Sequence, residues 1–123
     1  MKLLKTAVVG LALYSASTLA EDCVAPDAPQ IPDGATSTME QMLAGQKAVK
    51  AFQAANIEYM GCLESGLSAA EAALKDAAED DQPAAKAEYD SAVEAYNSAV
   101  SKEEEVAGQF NTEIREYKAA NPG

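Results

Sequence analysis

The chain has 123 residues, 20 acidic against 9 basic, a formal charge of −11 at pH 7, no histidine, no tryptophan and two cysteines. So acidic a balance excludes nucleic acid and anionic membrane surfaces as partners, because both select basic patches. Without histidine, Ser-His and Cys-His nucleophilic pairs are excluded and the commonest metal ligand is missing.

Residues 1–20 read as a cleaved secretory signal. Lys2 and Lys5 form a positive start, Ala7 to Tyr14 is a short apolar run, and Thr18 and Ala20 stand where a signal peptidase reads. A membrane span needs about 20 apolar residues, which this run does not reach. Cleavage after Ser17 is a second option. Glu21 and Asp22 precede Cys23, so no lipobox places that cysteine at a new N-terminus. The expected location is the periplasm. Taking Lys2 and Lys5 from the 9 basic residues leaves 7 against 20 acidic ones, a formal charge of −13 for the exported chain.

Residues 21–36 read as an extended proline-rich arm. Pro26, Pro29 and Pro32 recur every third residue, the period of polyproline II. At 3.1 Å per residue the arm from Cys23 to Ser37 spans about 43 Å. The helix from Ser37 to Cys62 spans about 38 Å at 1.5 Å per residue. An arm folded back along that helix therefore brings Cys23 to Cys62, and an intramolecular disulfide is expected in an oxidising compartment. Closing a loop of this length stabilises the fold by about 4 kcal/mol in the chain-entropy account. Two free thiols, or Cys62 paired with a second copy, are the alternatives.

Residues 37–120 read as one all-α domain, an antiparallel, coiled-coil-like helical hairpin. Helix one is expected over about 38–80, opened by a Ser37–Glu40 capping box. Its apolar positions Met39, Met42, Val49, Phe52, Tyr59 or Met60, Leu63, Leu67, Ala70, Leu74 and Ala77 step by three and four. Gln46, Gln53 and Asn56 interrupt that seam; they either fix its register or lie at its edge, and the edge is the preferred reading. Gly66, followed by a second Ser68–Glu71 capping box, offers a break that would give three helices, but the stepping continues without a phase shift.

A turn is expected over 81–83, with Pro83 in the first turn of the next helix and Asp80 or Asp81 as its cap. The acids there lack the spacing and central glycine of a calcium loop. Helix two, about 84–119, carries an a/d seam of Tyr89, Val93, Tyr96, Val100, Glu103, Ala107, Phe110, Ile114 and Tyr117. With the turn centred near Gln82, Phe52 should face Ile114, Tyr59 should face Val106 and Cys62 should face Glu103.

No Gly-rich phosphate loop, Cys-x-x-Cys pair or metal-ligand pattern is present, so no cofactor, no metal and no catalytic residue is expected, and the chain reads as non-enzymatic. The Glu103-Glu104-Glu105 run reads as a solvated face, because consecutive helical residues point in different directions. Phe52, Tyr59, Tyr96, Phe110 and Tyr117 are the aromatic candidates for core or contact.

Cys23-x2-Pro26-x2-Pro29-x2-Pro32-x-Gly34, then Tyr59-x2-Cys62-Leu63, then Phe110-Asn111 before Ile114-Arg115, resembles a group of small, uncharacterised exported proteins of proteobacteria. The resemblance implies an envelope location and a helical fold, and it implies no mechanism. The functional expectation is a protein-interaction or structural module of the bacterial envelope, acting through a protein partner or through self-association as a homodimer. The alternative is a chaperone-like holdase or stress protein that binds unfolded chains.

Overall fold

A computed structural model describes residues 23–123; the signal read over residues 1–20 lies outside the described residues. Among the described residues the chain forms an extended arm followed by two long helices, and no strand. Helix α1 runs Met39–Asp76 and helix α2 runs Gln82–Ala120, joined through a 3-10 turn at Glu79–Asp81. The helices pack antiparallel, and Cys23 and Cys62 are bonded, with their Cα atoms 5.7 Å apart. The fold is the all-α hairpin with a clipped arm. Helix α1 continues through Gly66 without a break.

The start of α1 corrects the sequence reading by one residue. The amides of Thr36 and Ser37 donate to the Asp33 carbonyl, so the chain is still turning at Ser37. Thr38, in extended geometry, is the N-cap: its hydroxyl accepts from the Gln41 amide at 3.2 Å, and the Gln41 side chain accepts from the Thr38 amide at 2.8 Å. Two overlapping Ser/Thr-x-x-Glu/Gln boxes compete here, and the Asp33 turn decides between them. At the far end, Ala77 and Ala78 are extended, and the amides of Asp81 and Gln82 both donate to the Ala78 carbonyl. Asp81 takes the N-cap position of α2 but makes no side-chain capping bond, and Pro83 stands in the first turn.

The turn thus centres near Glu79 rather than Gln82. Each residue by which the centre moves shifts every cross-helix pairing by two, so the expected pairs are replaced. Asn56 meets Ala99, and Gly45 lies against Phe110. Phe52 lies in the core with Val106 and Phe110, and Ile114 packs against the same cluster.

The core is Met42, Val49, Phe52, Val106 and Phe110, with Ile31 of the arm, Ile114 and Tyr117 packed against it. Leu63 and Ala99 are buried further toward the turn. On α2, Ala99 and Val106 are buried where the heptad reading placed Val100 and Ala107, which are only half-buried. A strict heptad drifts about 20° per repeat from the buried face of a straight helix. The reading therefore fits at Phe110 and walks off the core toward the turn. Met39 is also displaced from the seam: it is 58% exposed. Past Leu63 on α1 and before Ala99 on α2, no side chain is better than half-buried.

Asn56 is the polar residue the sequence placed wrongly. It is 2% exposed, at the middle of the seam, and its Nδ2 donates to the Ala99 carbonyl at 3.1 Å. Gln46 is exposed and Gln53 half-buried, as edge residues should be. Asn56→Asp would turn a buried donor into a carboxylate facing a carbonyl. It is expected to lower the unfolding free energy by about 3 kcal/mol or more at neutral pH, with partial recovery on acidification, in urea titrations. A loss no larger than that of a surface substitution would mean the bond does not matter.

Glu103 is half-buried on the line between Ala99 and Val106. Glu103→Leu should raise the melting temperature by several degrees, since about 1 kcal/mol corresponds to 4–8 °C in a domain of this size. An unchanged or lower value would place Glu103 outside the seam.

Candidate functional site at the arm and helix junction

The arm is seated at two points. At its outer end the disulfide ties Cys23 to α1. At its inner end three contacts converge. Ile31 packs on the core cluster. The Pro32 ring lies over Gly45, where a Cβ would come within 2.7 Å of the ring carbons and 3.4 Å of the Phe110 ring. The Gly34 amide donates to Glu113 Oε1 at 3.1 Å. Gly34 is buried so close to α2 that a Cβ would collide with the Glu113 carbonyl oxygen and lie 2.9 Å from the Tyr117 nitrogen. Its φ is not positive, so glycine is required here for space rather than for turn geometry.

The outer point is bordered by an opening. A cleft of about 320 Å³ separates residues 23–26 from Ala55, Glu58, Tyr59 and Cys62. It is a shallow opening around the disulfide.

The junction also gathers acid. Single carboxylate oxygens of Asp33, Glu113 and Glu116 lie within 4.8 Å of one another. A hydrogen bond to Glu113 and its negative charge, then slight burial and the charge of Asp33, hold the Glu116 carboxyl above its usual range. The trio supplies three oxygens of the six to eight that calcium takes, and Asp33 and Glu116 are exposed. The grouping sets three like charges against one another at the junction.

The aromatic candidates divide. Phe52 and Phe110 are buried core. Tyr117 packs against the same cluster. Tyr59 is half-buried and lines the cleft. The half-buried Tyr96 donates its hydroxyl to Glu64 Oε1 at 3.2 Å, and that carboxylate raises its pKa. The acidic trio escaped the sequence reading because Asp33 is separated from Glu113 and Glu116 by most of the hairpin. Only the register of α2 against the arm brings them together.

Helical spacing places the remaining surface of α1. One face meets α2, and the flank bearing Ala55, Tyr59 and Cys62 meets the arm. The opposite flank carries Met39, Leu43 and Ile57, the latter two 56% and 62% exposed. Comparison of the chain with protein-family models, with curated proteins and with solved structures gives no match.

Two outcomes follow from the junction. Gly34→Ala must lift the arm off α2, and overpacking of this kind costs about 1–3 kcal/mol; thermal denaturation should show the loss, and an unaltered transition would mean the seat is loose. Glu116 gives a pH signature. Its folded pKa is raised above the unfolded value, so its stabilising contribution is fully present below the unfolded value and is lost as pH rises through the folded one. Glu116→Gln should therefore raise the melting temperature at pH 7 and leave it nearly unchanged at pH 4. Equal shifts at both would remove the repulsion between Glu116 and its acidic neighbours.

Proposed function

We propose that this chain is a non-enzymatic, exported helical hairpin of the bacterial periplasm, acting as a protein-interaction module of the envelope. The observation that carries the reading is the open flank of α1. From Gln41 to Ile57 the helix holds two lysines and no acid, in a chain of formal charge −11. Leu43 and Ile57 are exposed along that stretch, and Met39 is exposed just before it. Lys47 and Lys50 join none of the three ion pairs among the described residues, which use Lys75, Lys86 and Lys102.

An apolar, acid-free strip edged by lysine suits a partner helix with an apolar stripe and acidic margins. A second copy meeting the same strip would set lysine against lysine, which disfavours a homodimer through this face. Basic unfolded clients, the natural choice of an acidic holdase, would gain no charge match there. The disulfide supports an oxidising location. No helix among the described residues is long and apolar enough to cross a membrane.

Lysine-directed crosslinking and co-purification from the envelope fraction tests this. One stoichiometric partner is expected, with its crosslinks on Lys47 and Lys50. It should be lost from a Leu43→Glu, Ile57→Glu variant whose helical content is unchanged. A scatter of unrelated clients would replace this reading by the holdase, and recovery of the chain alone would replace it by self-association.

A further inference from the structure

We infer that residues 24–30 are a redox-latched strap: the Cys23–Cys62 disulfide at its outer end is what keeps this segment on α1, and its reduction frees the strap while the hairpin stays folded.

The inference rests on how unevenly the arm is held. Residues 31–34 have their own anchors in Ile31, the Pro32–Gly45 contact and the Gly34–Glu113 hydrogen bond. Among the described residues, 24–30 make no hydrogen bond to the helices. Val24, Ala25, Asp27, Ala28 and Gln30 are exposed, Val24 at 82%. Pro26 and Pro29 are only half-buried. The cleft of about 320 Å³ lies where tight packing would be needed to hold the segment without a covalent bond. Ordering a chain segment carries an entropy cost for every residue fixed. Pro26 at the cleft and Pro29 beyond it, both half-buried, offer little apolar burial against seven ordered residues. The core does not depend on the segment either. Met42, Val49, Phe52, Val106 and Phe110 come from the two helices, and the arm's contribution to that cluster is Ile31, inside the second anchor.

The opening step needs a dithiol reductant. One of its thiolates attacks a sulfur of the bridge and breaks the S–S bond. Its second thiol then resolves the mixed disulfide. The two electrons and two protons pass to Cys23 and Cys62, leaving both as thiols and the reductant as a disulfide. The freed strap uncovers the Ala55 and Tyr59 flank of α1 and leaves the Cys62 thiol on it.

The test compares the oxidised and reduced full chain by NMR, well below the melting temperature. A Cys23→Ser, Cys62→Ser chain without reductant serves as the covalent control. On reduction, the heteronuclear NOE of residues 24–30 should fall to that of a free chain end and the Tyr59 ring signals should shift. Ile31, Asn56 and Phe110 signals and the far-UV helical signal should hold. The serine chain should reproduce the reduced spectrum. Residues 24–30 keeping their oxidised NOE values would overturn the latch. Movement of Ile31 and Phe110, or loss of helical signal, would overturn the separable strap and make the bond a staple of the whole fold.

Discussion

Asn56 donates to the Ala99 carbonyl at the middle of an otherwise apolar seam, and this bond determines which turn of α2 meets which turn of α1. The seam around it is built from apolar side chains such as Phe52, Leu63 and Val106, and non-directional apolar packing discriminates weakly between neighbouring registers. A buried amide makes them unequal, since only one register gives it a partner and the others leave it unpaired in an apolar setting. Once Asn56 is opposite Ala99, Gly45 is opposite Phe110, Pro32 can lie over Gly45, and Glu113 arrives at the Gly34 amide. The arm's inner seat is thus a consequence of a hydrogen bond several turns away.

The features legible in the sequence were those set by local periods. A proline every third residue gave the arm its length, three-four stepping gave the helices, and comparing the two lengths brought Cys23 to Cys62. The register was not legible, because it follows from the centre of the turn. That centre is decided by two extended alanines, Ala77 and Ala78, which look helical in the sequence. Asn56 was misplaced for a related reason. Among Gln46, Gln53 and Asn56, nothing local distinguishes an edge residue from a buried one whose acceptor lies on the other helix. The close approach of Gly34 to the α2 backbone has no local sign in the sequence, because it follows from where α2 runs.

Charge is distributed to the same plan. The three ion pairs are short-range pairs on exposed helix faces and contribute little to stability. The junction of arm and helices instead concentrates like charge, which the raised Glu116 carboxyl reflects. Glu113 is ordered by the Gly34 amide there, so one carboxylate is both anchor and source of repulsion. The acid-free run from Gln41 to Ile57 makes α1 two-sided: one flank is taken by the arm and the other is left apolar and weakly positive.

The position of the disulfide has a consequence for the order in which the fold is built. Both cysteines lie before the turn, so in a chain made from its N-terminus Cys62 exists before any residue of α2. The arm and the first half of α1 can be covalently closed while the partner helix is still absent. Helix α2 then docks onto a half whose arm is already tied at its outer end, and the inner seat forms as α2 arrives. The choices left to it are set by Asn56 at the middle and by the space over Gly34 and Gly45 at the end. The late step of assembly is thereby reduced from a three-segment search to the seating of one helix.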